Sequence, residues 1–185
     1  MTERTAPGTD WPLNLLVFGA TGGTGRPLVS LALSRGHAVT AFARTPAKLA
    51  MTHKRLRVAA GDVTDAEAVA RAVPGHDAVC CALGAPSPFH RFPGLVDGVR
   101  HIVQAMEAAR VRRLVYLSML VGTEAASGLS VVGRRVMPLV LRHPIADHAE
   151  KEAIVRASAL DWVIVRPARL TNGPRTGRYR SGVEP

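Results

Sequence analysis

The chain has 185 residues, of which 47% are hydrophobic and 21% are charged, and its formal net charge is +10. This length suits one well-buried domain, and the composition excludes an intrinsically disordered chain. The positive charge suits an anionic partner. Aromatic residues make up only 4% and the arginines are dispersed along the chain, so no nucleic-acid partner is expected.

The amino-terminal residues resemble neither a membrane span nor a targeting signal. Residues 1–12 carry proline, glycine and threonine without periodicity, which predicts a flexible tail ahead of one domain over 13–185. They lack the apolar segment of a signal peptide, and no apolar run in the chain is long enough to cross a bilayer. We therefore expect a cytoplasmic protein that does not associate with membranes.

After the tail, strand-like apolar segments alternate with segments of helical periodicity. In chain order, strands are predicted at 13–19, 37–44, 56–62, 77–84, 112–118 and 161–167. Helices are predicted at 26–36, 66–75, 94–111 and 147–160, with a short helical segment at 46–50. Consecutive apolar residues in the strands indicate burial on both faces of a parallel sheet. The alternation predicts an α/β fold with a doubly wound parallel sheet flanked by helices.

Two of the segments between the strands are interpreted from their pattern of apolar residues. In 94–111, Val99, Ile102, Val103 and Met106 recur at steps of three and four, which predicts a helix with one buried face. Segment 127–146 is apolar with interspersed arginines, and it suits a helix beside a cleft, a lid or a contact surface equally well.

The cysteine and histidine content gives no sign of a metal centre. Cys80 and Cys81 are adjacent inside an apolar run, so they are predicted to be small core residues. No set of histidines, cysteines and acids has the spacing of metal ligands. No metal is therefore expected.

The stretch GATGGTGR at 19–26 lies where the first strand gives way to the first helix. Gly19, Gly22 and Gly25 recur every three residues, so the second glycine comes one residue later than in the common G-x-G-x-x-G motif. A sharp strand-to-helix turn needs residues without Cβ, and the amino end of the helix attracts a pyrophosphate. Within a βαβ unit, this stretch predicts a dinucleotide-binding turn.

The end of the second strand indicates which dinucleotide is bound. An acidic residue there favours NAD, because it binds the ribose hydroxyls and repels a 2′-phosphate. This chain has Arg44, followed by Thr45 and Lys48. The sequence therefore favours NADP(H), with NAD(H) as the alternative, although a solvated arginine at a strand end would look the same.

Several motifs occur in the order found in one protein family. They are GATGGTGR at 19–26, the arginine after the second strand, GDVTD at 61–65, ALGAP after the fourth strand, RLVYLS at 113–118 and WVIVRP at 162–167. Together they resemble the atypical short-chain dehydrogenase/reductases, in particular the NAD(P)H-binding group of NmrA-like proteins and the biliverdin reductase B/flavin reductase type. The resemblance runs from Leu13 to about Tyr179 and implies a Rossmann-like sheet that lacks the family's last strand and helix.

The resemblance also implies which residues contact the cofactor and the substrate. At the diphosphate they are Gly19, Thr21, Gly22, Gly23, Thr24, Gly25 and Arg26. Arg44 would meet the 2′-phosphate, Asp62 and Val63 the adenine, Leu83 and Gly84 the ribose, and Ser118 and Pro167 the nicotinamide. Arg169 falls where the flavin reductase type has a substrate-contacting histidine, so it either holds an anionic substrate or is a surface charge.

The catalytic pair of the better-known short-chain dehydrogenases is absent. Those enzymes use Tyr-x-x-x-Lys, in which the lysine lowers the pKa of the tyrosine for proton transfer. Neither tyrosine, Tyr116 or Tyr179, is followed by a lysine at that spacing, and Asp147 stands four residues before Lys151. A different arrangement must serve any proton transfer in this chain.

Two residues remain as catalytic candidates. Ser118 would lie beside the nicotinamide, and His148 could supply a proton near neutral pH. A histidine at the start of a helix is more often solvated or part of a cap, so its role is open.

These observations support three function hypotheses. The first is an NADPH-dependent reductase of a flavin-like, quinone-like or other small conjugated acceptor, whose reduced ring takes its proton from solvent. The second is a non-catalytic NADP(H)-binding redox sensor of NmrA type that acts on a protein partner. The third is a nucleotide-sugar epimerase-type enzyme, which the missing Tyr-x-x-x-Lys pair disfavours.

Overall fold

The computed structural model describes residues 11–85, 92–119 and 142–167, and the single residues 170, 173 and 182. Arg169 and Tyr179 lie outside the described residues, as do 1–10 of the predicted tail and 127–141 of the apolar segment.

Strands and helices alternate along the described chain. The strands are β1 (Asn14–Phe18), β2 (Ala38–Ala43), β3 (Leu56–Ala60), β4 (Ala78–Cys81), β5 (Arg113–Leu117) and β6 (Asp161–Val165). The helices are α1 (Gly25–Ser34), α2 (Ala66–Ala72), α3 (Pro93–Ala109) and α4 (Arg142–Ala157), and a short 3-10 helix spans Pro46–Leu49. Each predicted strand and helix has a counterpart among these elements.

The six strands form one parallel sheet in the order β3-β2-β1-β4-β5-β6. The chain builds outward from β1 to β3, returns to place β4 beside β1, and then builds outward to β6. This reversal between β1 and β4 is the switch point of a doubly wound sheet. The predicted Rossmann-like α/β class is confirmed.

The core lies on both faces of β1. Leu16, Val17 and Phe18 are each 0% exposed. Leu16 and Phe18 belong to the core that α2, α3 and α4 cover, whereas Val17 packs with Val29 of α1 on the opposite face. The run of consecutive apolar residues in β1 therefore reflects helices on both sides of the sheet, as predicted.

The predicted buried face of α3 is confirmed. Its residues Val99, Ile102, Val103 and Met106 are all buried, and the helix contacts both α2 and α4. The adjacent cysteines are also core residues, as predicted, and both are free thiols. Burial raises the pKa of the Cys81 thiol to about 11, so this thiol is protonated and unreactive near neutral pH.

Two sequence-based expectations are wrong in detail. The outer strands are not buried on both faces, because Val58 of β3 and Val163 of β6 are 43% and 48% exposed. An outer strand has one neighbouring strand, so fewer residues cover it. Helix α4 begins at Arg142, five residues before the predicted start at 147, because a proline is tolerated in the first turn of a helix.

The turn from β1 into α1 is built by close approach of backbone to backbone. Gly19 has φ of +76°, and a Cβ there would lie 2.4 Å from the carbonyl oxygen of Ala82. A Cβ at Gly25, the first residue of α1, would lie 2.0 Å from the carbonyl oxygen of Gly19. Only glycine fits these two positions without moving the main chain.

Gly25→Ala should therefore destabilise the fold by about 2 to 3 kcal/mol, since the added methyl group overlaps backbone atoms that cannot rotate away. Gly23→Ala is the matched control, because a Cβ at Gly23 meets no atom within 4 Å. Urea unfolding should show a change within about 0.5 kcal/mol for the control. Equal stability of the two variants would contradict this account of the turn.

Candidate functional site

The carboxyl ends of the parallel strands meet at one edge of the sheet, where open α/β sheets bind ligands beside the switch point. The glycine-rich turn follows β1 at this edge and lies against the segment that follows β4. The amide of Ala82 donates to the carbonyl oxygen of Phe18 at 2.9 Å, which fixes that contact. The predicted cofactor residues that follow β1 and β4 are thus neighbours in space.

The turn leaves open space at the amino end of α1, beside the backbone of Gly22, Gly23, Thr24 and Gly25; we call this space the cradle. Gly22 and Gly23 are exposed, and the amides of Gly23, Thr24 and Gly25 donate no hydrogen bond to any described residue. The first turn of α1, which is described throughout, contains no acidic side chain. Free amides at the positive end of a helix suit a diphosphate, so the residues present fit this part of a dinucleotide.

The end of β2 presents a cation near this cradle. The Arg44 side chain is 76% exposed, and its Nη1 lies 3.8 Å from Oδ2 of Asp62. Asp62 Oδ1 accepts hydrogen bonds from the amide and hydroxyl of Thr64 at 3.0 and 2.9 Å. These bonds, led by the Thr64 amide, hold the pKa of Asp62 below its usual value, so its carboxylate stays charged beside Arg44.

The Arg26 side chain, which is expected to contact the diphosphate, makes a hydrogen bond within the protein. Its Nη2 donates to the carbonyl oxygen of Lys48 at 2.6 Å. This bond ties the first turn of α1 to the 3-10 helix that follows Arg44. Arg26 therefore helps to set the position of the cradle relative to Arg44, and its contact with a diphosphate stays a prediction.

The other predicted cofactor contacts occupy the same edge with different exposure. Val63 is 7% exposed and packs against Gly98 of α3, where a Cβ would lie 2.7 Å from Val63 Cγ2. Leu83 is partly buried, and Gly84 is exposed with open space around it. Pro167 is partly buried after β6. Their contacts with a cofactor stay predictions.

The two catalytic candidates lie together. Ser118 follows β5 and is 5% exposed, and its amide donates to the carbonyl oxygen of Val165 at 2.9 Å. Its Oγ lies 3.2 Å from Nδ1 of His148 on α4. Residues 30 positions apart in the sequence are thus joined by a hydrogen bond at the carboxyl edge of β5.

Behind Ser118 lies an ion pair that sequence reasoning missed. Arg166, just after β6, donates from Nε to Oε1 of Glu152 at 2.9 Å and from Nη2 to Oε2. The hydrogen bond from Arg166 lowers the pKa of Glu152, and the nearby Ser118 hydroxyl lowers it further. The only signal in the sequence was the four-residue spacing from His148 to Glu152, which puts both on one helix face.

The protonation state of His148 differs from the expectation. Burial, together with the nearby positive charge of Lys151, lowers the pKa of His148 from 6.5 to about 4. The imidazole is therefore neutral at physiological pH. The sequence does not report the burial of a side chain, so it predicted a histidine that titrates near neutral pH. A catalytic role of His148 stays a prediction.

Tyr116 on β5 and Lys151 on α4 are both buried. Tyr116 is 1% exposed, and its hydroxyl makes no hydrogen bond within the described part of the chain. Burial raises its pKa and keeps the phenol protonated. Lys151 is 2% exposed, and burial lowers its pKa. Neither side chain reaches the surface, so the two do not replace the missing Tyr-x-x-x-Lys pair.

Asp147 occupies the position of the missing tyrosine and has a structural contact. It is 5% exposed, and its Oδ2 accepts a hydrogen bond from the amide of Phe92 at 3.1 Å. This bond joins α4 to the start of α3. In the part of the chain that the structure describes, no three His, Cys, Asp or Glu residues are placed to hold a metal ion, and no helix is long and apolar enough to cross a membrane.

A parallel sheet in this strand order, with a glycine-rich turn at its switch point, defines the dinucleotide-binding α/β proteins of Rossmann type. Residues 19–184 match the model of a family described as NAD(P)H-binding. The chain belongs to this NAD(P)H-binding family, so its cofactor is a nicotinamide dinucleotide.

Known proteins of similar sequence and structure agree with this assignment. An uncharacterised chloroplast protein of Arabidopsis thaliana is 32% identical over 88% of this chain and 61% of its own length. A 3-diazoavenalumate denitrifying reductase of Streptomyces is 32% identical over 92% of this chain and 60% of its own. A Rossmann-fold NAD(P)-binding family protein of Shigella flexneri has a TM-score of 0.66 at 26% identity, covering 88% of this chain and 71% of that one. The chain spans about three-fifths of the length of the two curated relatives.

The lowered pKa of His148 predicts a pH-dependent loss of stability. As pH falls, the unfolded chain binds a proton at His148 near the ordinary pKa of 6.5, whereas the folded chain binds it only near 4. The free energy of unfolding therefore decreases as pH falls from 6.5 towards 4. Because the side chain is only partly buried, solvent screening reduces the effect to the order of 1 kcal/mol. His148→Asn should flatten this slope in urea titrations, whereas His53→Asn, at an exposed histidine, should keep it. Identical slopes in all three proteins would contradict the buried, neutral histidine.

Proposed function

We propose that this chain is an NADPH-dependent reductase of a small conjugated acceptor with a flavin-like or quinone-like ring. The observation that carries the proposal is that the described titratable side chains around Ser118, at the carboxyl edge of β5, include no exposed acid that is protonated at neutral pH. His148 is neutral, the Glu152 carboxyl is held ionised by Arg166, and Tyr116 is buried in the core.

Such a site suits an acceptor that needs positioning more than acid catalysis. Bound NADPH supplies a hydride equivalent. A conjugated ring accepts it at an electron-poor atom, and the resulting anion takes one proton from solvent, so the acceptor gains two electrons and two hydrogens in total. Ser118 and Pro167 would fix the geometry beside the nicotinamide, and orientation of this kind supplies a large part of the rate.

The cofactor assignment within this proposal depends on two parts of the site. The amides at the start of α1 would bind the diphosphate, and the exposed Arg44 guanidinium would bind the 2′-phosphate. Asp62, itself held by Thr64, lies on one side of Arg44 and restricts its position. The Streptomyces relative is named as a reductase, which supports reductase chemistry in general.

Arg44→Ala should weaken NADPH binding by about 10- to 100-fold, the equivalent of one charge-assisted contact of about 1.5 to 3 kcal/mol. NADH binding should change by less than about twofold, because NADH lacks the 2′-phosphate. Calorimetric titration measures both affinities. Arg71→Ala, at a 68% exposed arginine on α2, controls for the loss of one positive charge. Equal loss of NADPH and NADH affinity in Arg44→Ala would remove the basis for choosing NADPH.

The reductase itself is tested by following the absorbance of the reduced nicotinamide while the chain is incubated with NADPH and a flavin or a quinone. We expect oxidation faster than in mixtures lacking either the chain or the acceptor, with a rate proportional to chain concentration. Tight NADPH binding without oxidation across a broad acceptor panel would contradict the reductase. That result would favour the redox sensor with a protein partner.

A further inference from the structure

The stretch that contains the first three strands carries positive charge alone. Between Asp10 and Asp62 the sequence has no acidic residue, whereas lysine and arginine recur throughout it. Arg26 and Arg44 lie at the carboxyl edge of the sheet, beside the proposed dinucleotide. Residues 54–57, KRLR, lie at the opposite edge, where β3 begins. The dinucleotide therefore does not account for the three cations of this segment.

A cavity of about 520 Å³ lies at this amino edge of the sheet. Its walls come from the beginnings of β1, β2 and β3 and from the turn between α2 and β4. Lys54, Arg55 and Arg57 all line it, and we call these three residues the basic rim. The volume is within the range of small-molecule sites, which is about 300 to 1,000 Å³. Three cationic side chains thus border one space of ligand size.

His76, which follows α2, gives this cavity a fixed wall. Its Nδ1 lies 3.1 Å from the carbonyl oxygen of Val73, and its Nε2 lies 2.9 Å from Oγ1 of Thr40 on β2. Thr40 in turn pairs in register with Arg57 of β3. These hydrogen bonds join the turn after α2 to the strand beside Arg57, so the cavity is formed before any ligand binds.

The guanidinium of Arg55 is also held in place. It donates a hydrogen bond from Nη1 to the carbonyl oxygen of Gly36. Its other N–H groups make no hydrogen bond to a described residue. Since a guanidinium has five N–H donors in one plane, most of the donors of Arg55 remain for a ligand.

The basic rim has no acidic partner among the described residues. Elsewhere an exposed arginine pairs with an acid, as Arg71 does with Glu67. Asp77 follows the turn after α2, but it does not line the cavity, and its Oδ2 accepts a hydrogen bond from the amide of Asn14 at 2.7 Å. Like charges that border one space without neutralisation give it a positive potential, which attracts anions.

We infer that this cavity binds a small phosphorylated molecule through the basic rim, at a site separate from the dinucleotide. Guanidinium groups match the geometry of phosphate oxygens, and three positive charges suit a group that carries nearly two negative charges at neutral pH. Ala38 and Pro74 add apolar surface for the rest of the molecule. The described lining contains no Phe, Tyr or Trp for a nucleic-acid base to stack on, which favours a small ligand over a nucleic-acid strand.

Binding is located with amide NMR spectra of the 15N-labelled chain, titrated with phenyl phosphate at pH 7.5 and constant ionic strength. We expect saturable shifts at residues 54–57 and 75–77, with a dissociation constant below about 1 mM. Saturating NADP⁺ should change this constant by less than about twofold, because the cradle lies at the other edge of the sheet. Shifts that do not saturate, shifts confined to residues 22–25, or loss of binding with NADP⁺ present would overturn the inference.

Two matched substitutions test the basic rim. Arg57→Gln should weaken phenyl phosphate binding by at least about fivefold, because it removes a positive charge at the cavity. Arg113→Gln, at an exposed arginine where β5 begins, removes a charge outside the cavity and should change the affinity by less than about twofold. Lys54→Gln, ahead of β3, provides a second rim variant with the same expected loss. Equal affinities in the rim variants and Arg113→Gln would overturn the inference.

Two further ligands test the chemical class. Inorganic phosphate, which is also mainly a dianion at pH 7.5, should bind at least about fivefold more weakly than phenyl phosphate, since it has no organic part to contact the apolar surface. Equal affinities would overturn the assignment to a phosphorylated molecule in favour of free phosphate. Tighter binding of a short oligothymidine strand at the same amides would overturn it in favour of a nucleic acid.

Discussion

Backbone-to-backbone contact at the end of β1 is the constraint on which the rest of the site depends. The main chain of Gly19 lies against Ala82 after β4, and Gly25 lies against Gly19, at distances that exclude any Cβ. This contact brings the strand ends on both sides of the switch point together and aims the free amides of α1 at the same edge. The sheet supplies rigidity, and the side-chain-free turn leaves room for a diphosphate.

The second half of the site is assembled from side chains that are far apart in the sequence. Arg166 holds the carboxylate of Glu152, and a hydrogen bond joins Ser118 to His148. Burial lowers the pKa of His148, so the imidazole is neutral near pH 7. Charge and hydrogen bonding thus organise the residues around Ser118 without the tyrosine acid of the better-known short-chain dehydrogenases.

Local features of the structure were predictable from the sequence, and long-range ones were not. Strand composition, the apolar face of α3 and the glycine spacing all depend on neighbours within a few residues, and the structure contains each of them. The pairing of Glu152 with Arg166 and the neutrality of His148 depend on how α4 packs against β5 and β6. The exposure of Val58 and Val163 likewise follows from their place in outer strands, which composition alone does not reveal.

The most direct test of the account is a calorimetric titration of the wild-type chain and Gly23→Val with NADPH and NADH. A Cβ at Gly23 meets no protein atom within 4 Å, so the variant should fold normally. Its side chain would occupy the open space beside the free amides of α1, where the diphosphate is expected to bind. We expect heat of binding with the wild type and at least about a 100-fold loss of affinity in the variant. Absence of binding heat with either dinucleotide for the folded wild-type chain, or unchanged affinity in Gly23→Val, would contradict the central claim.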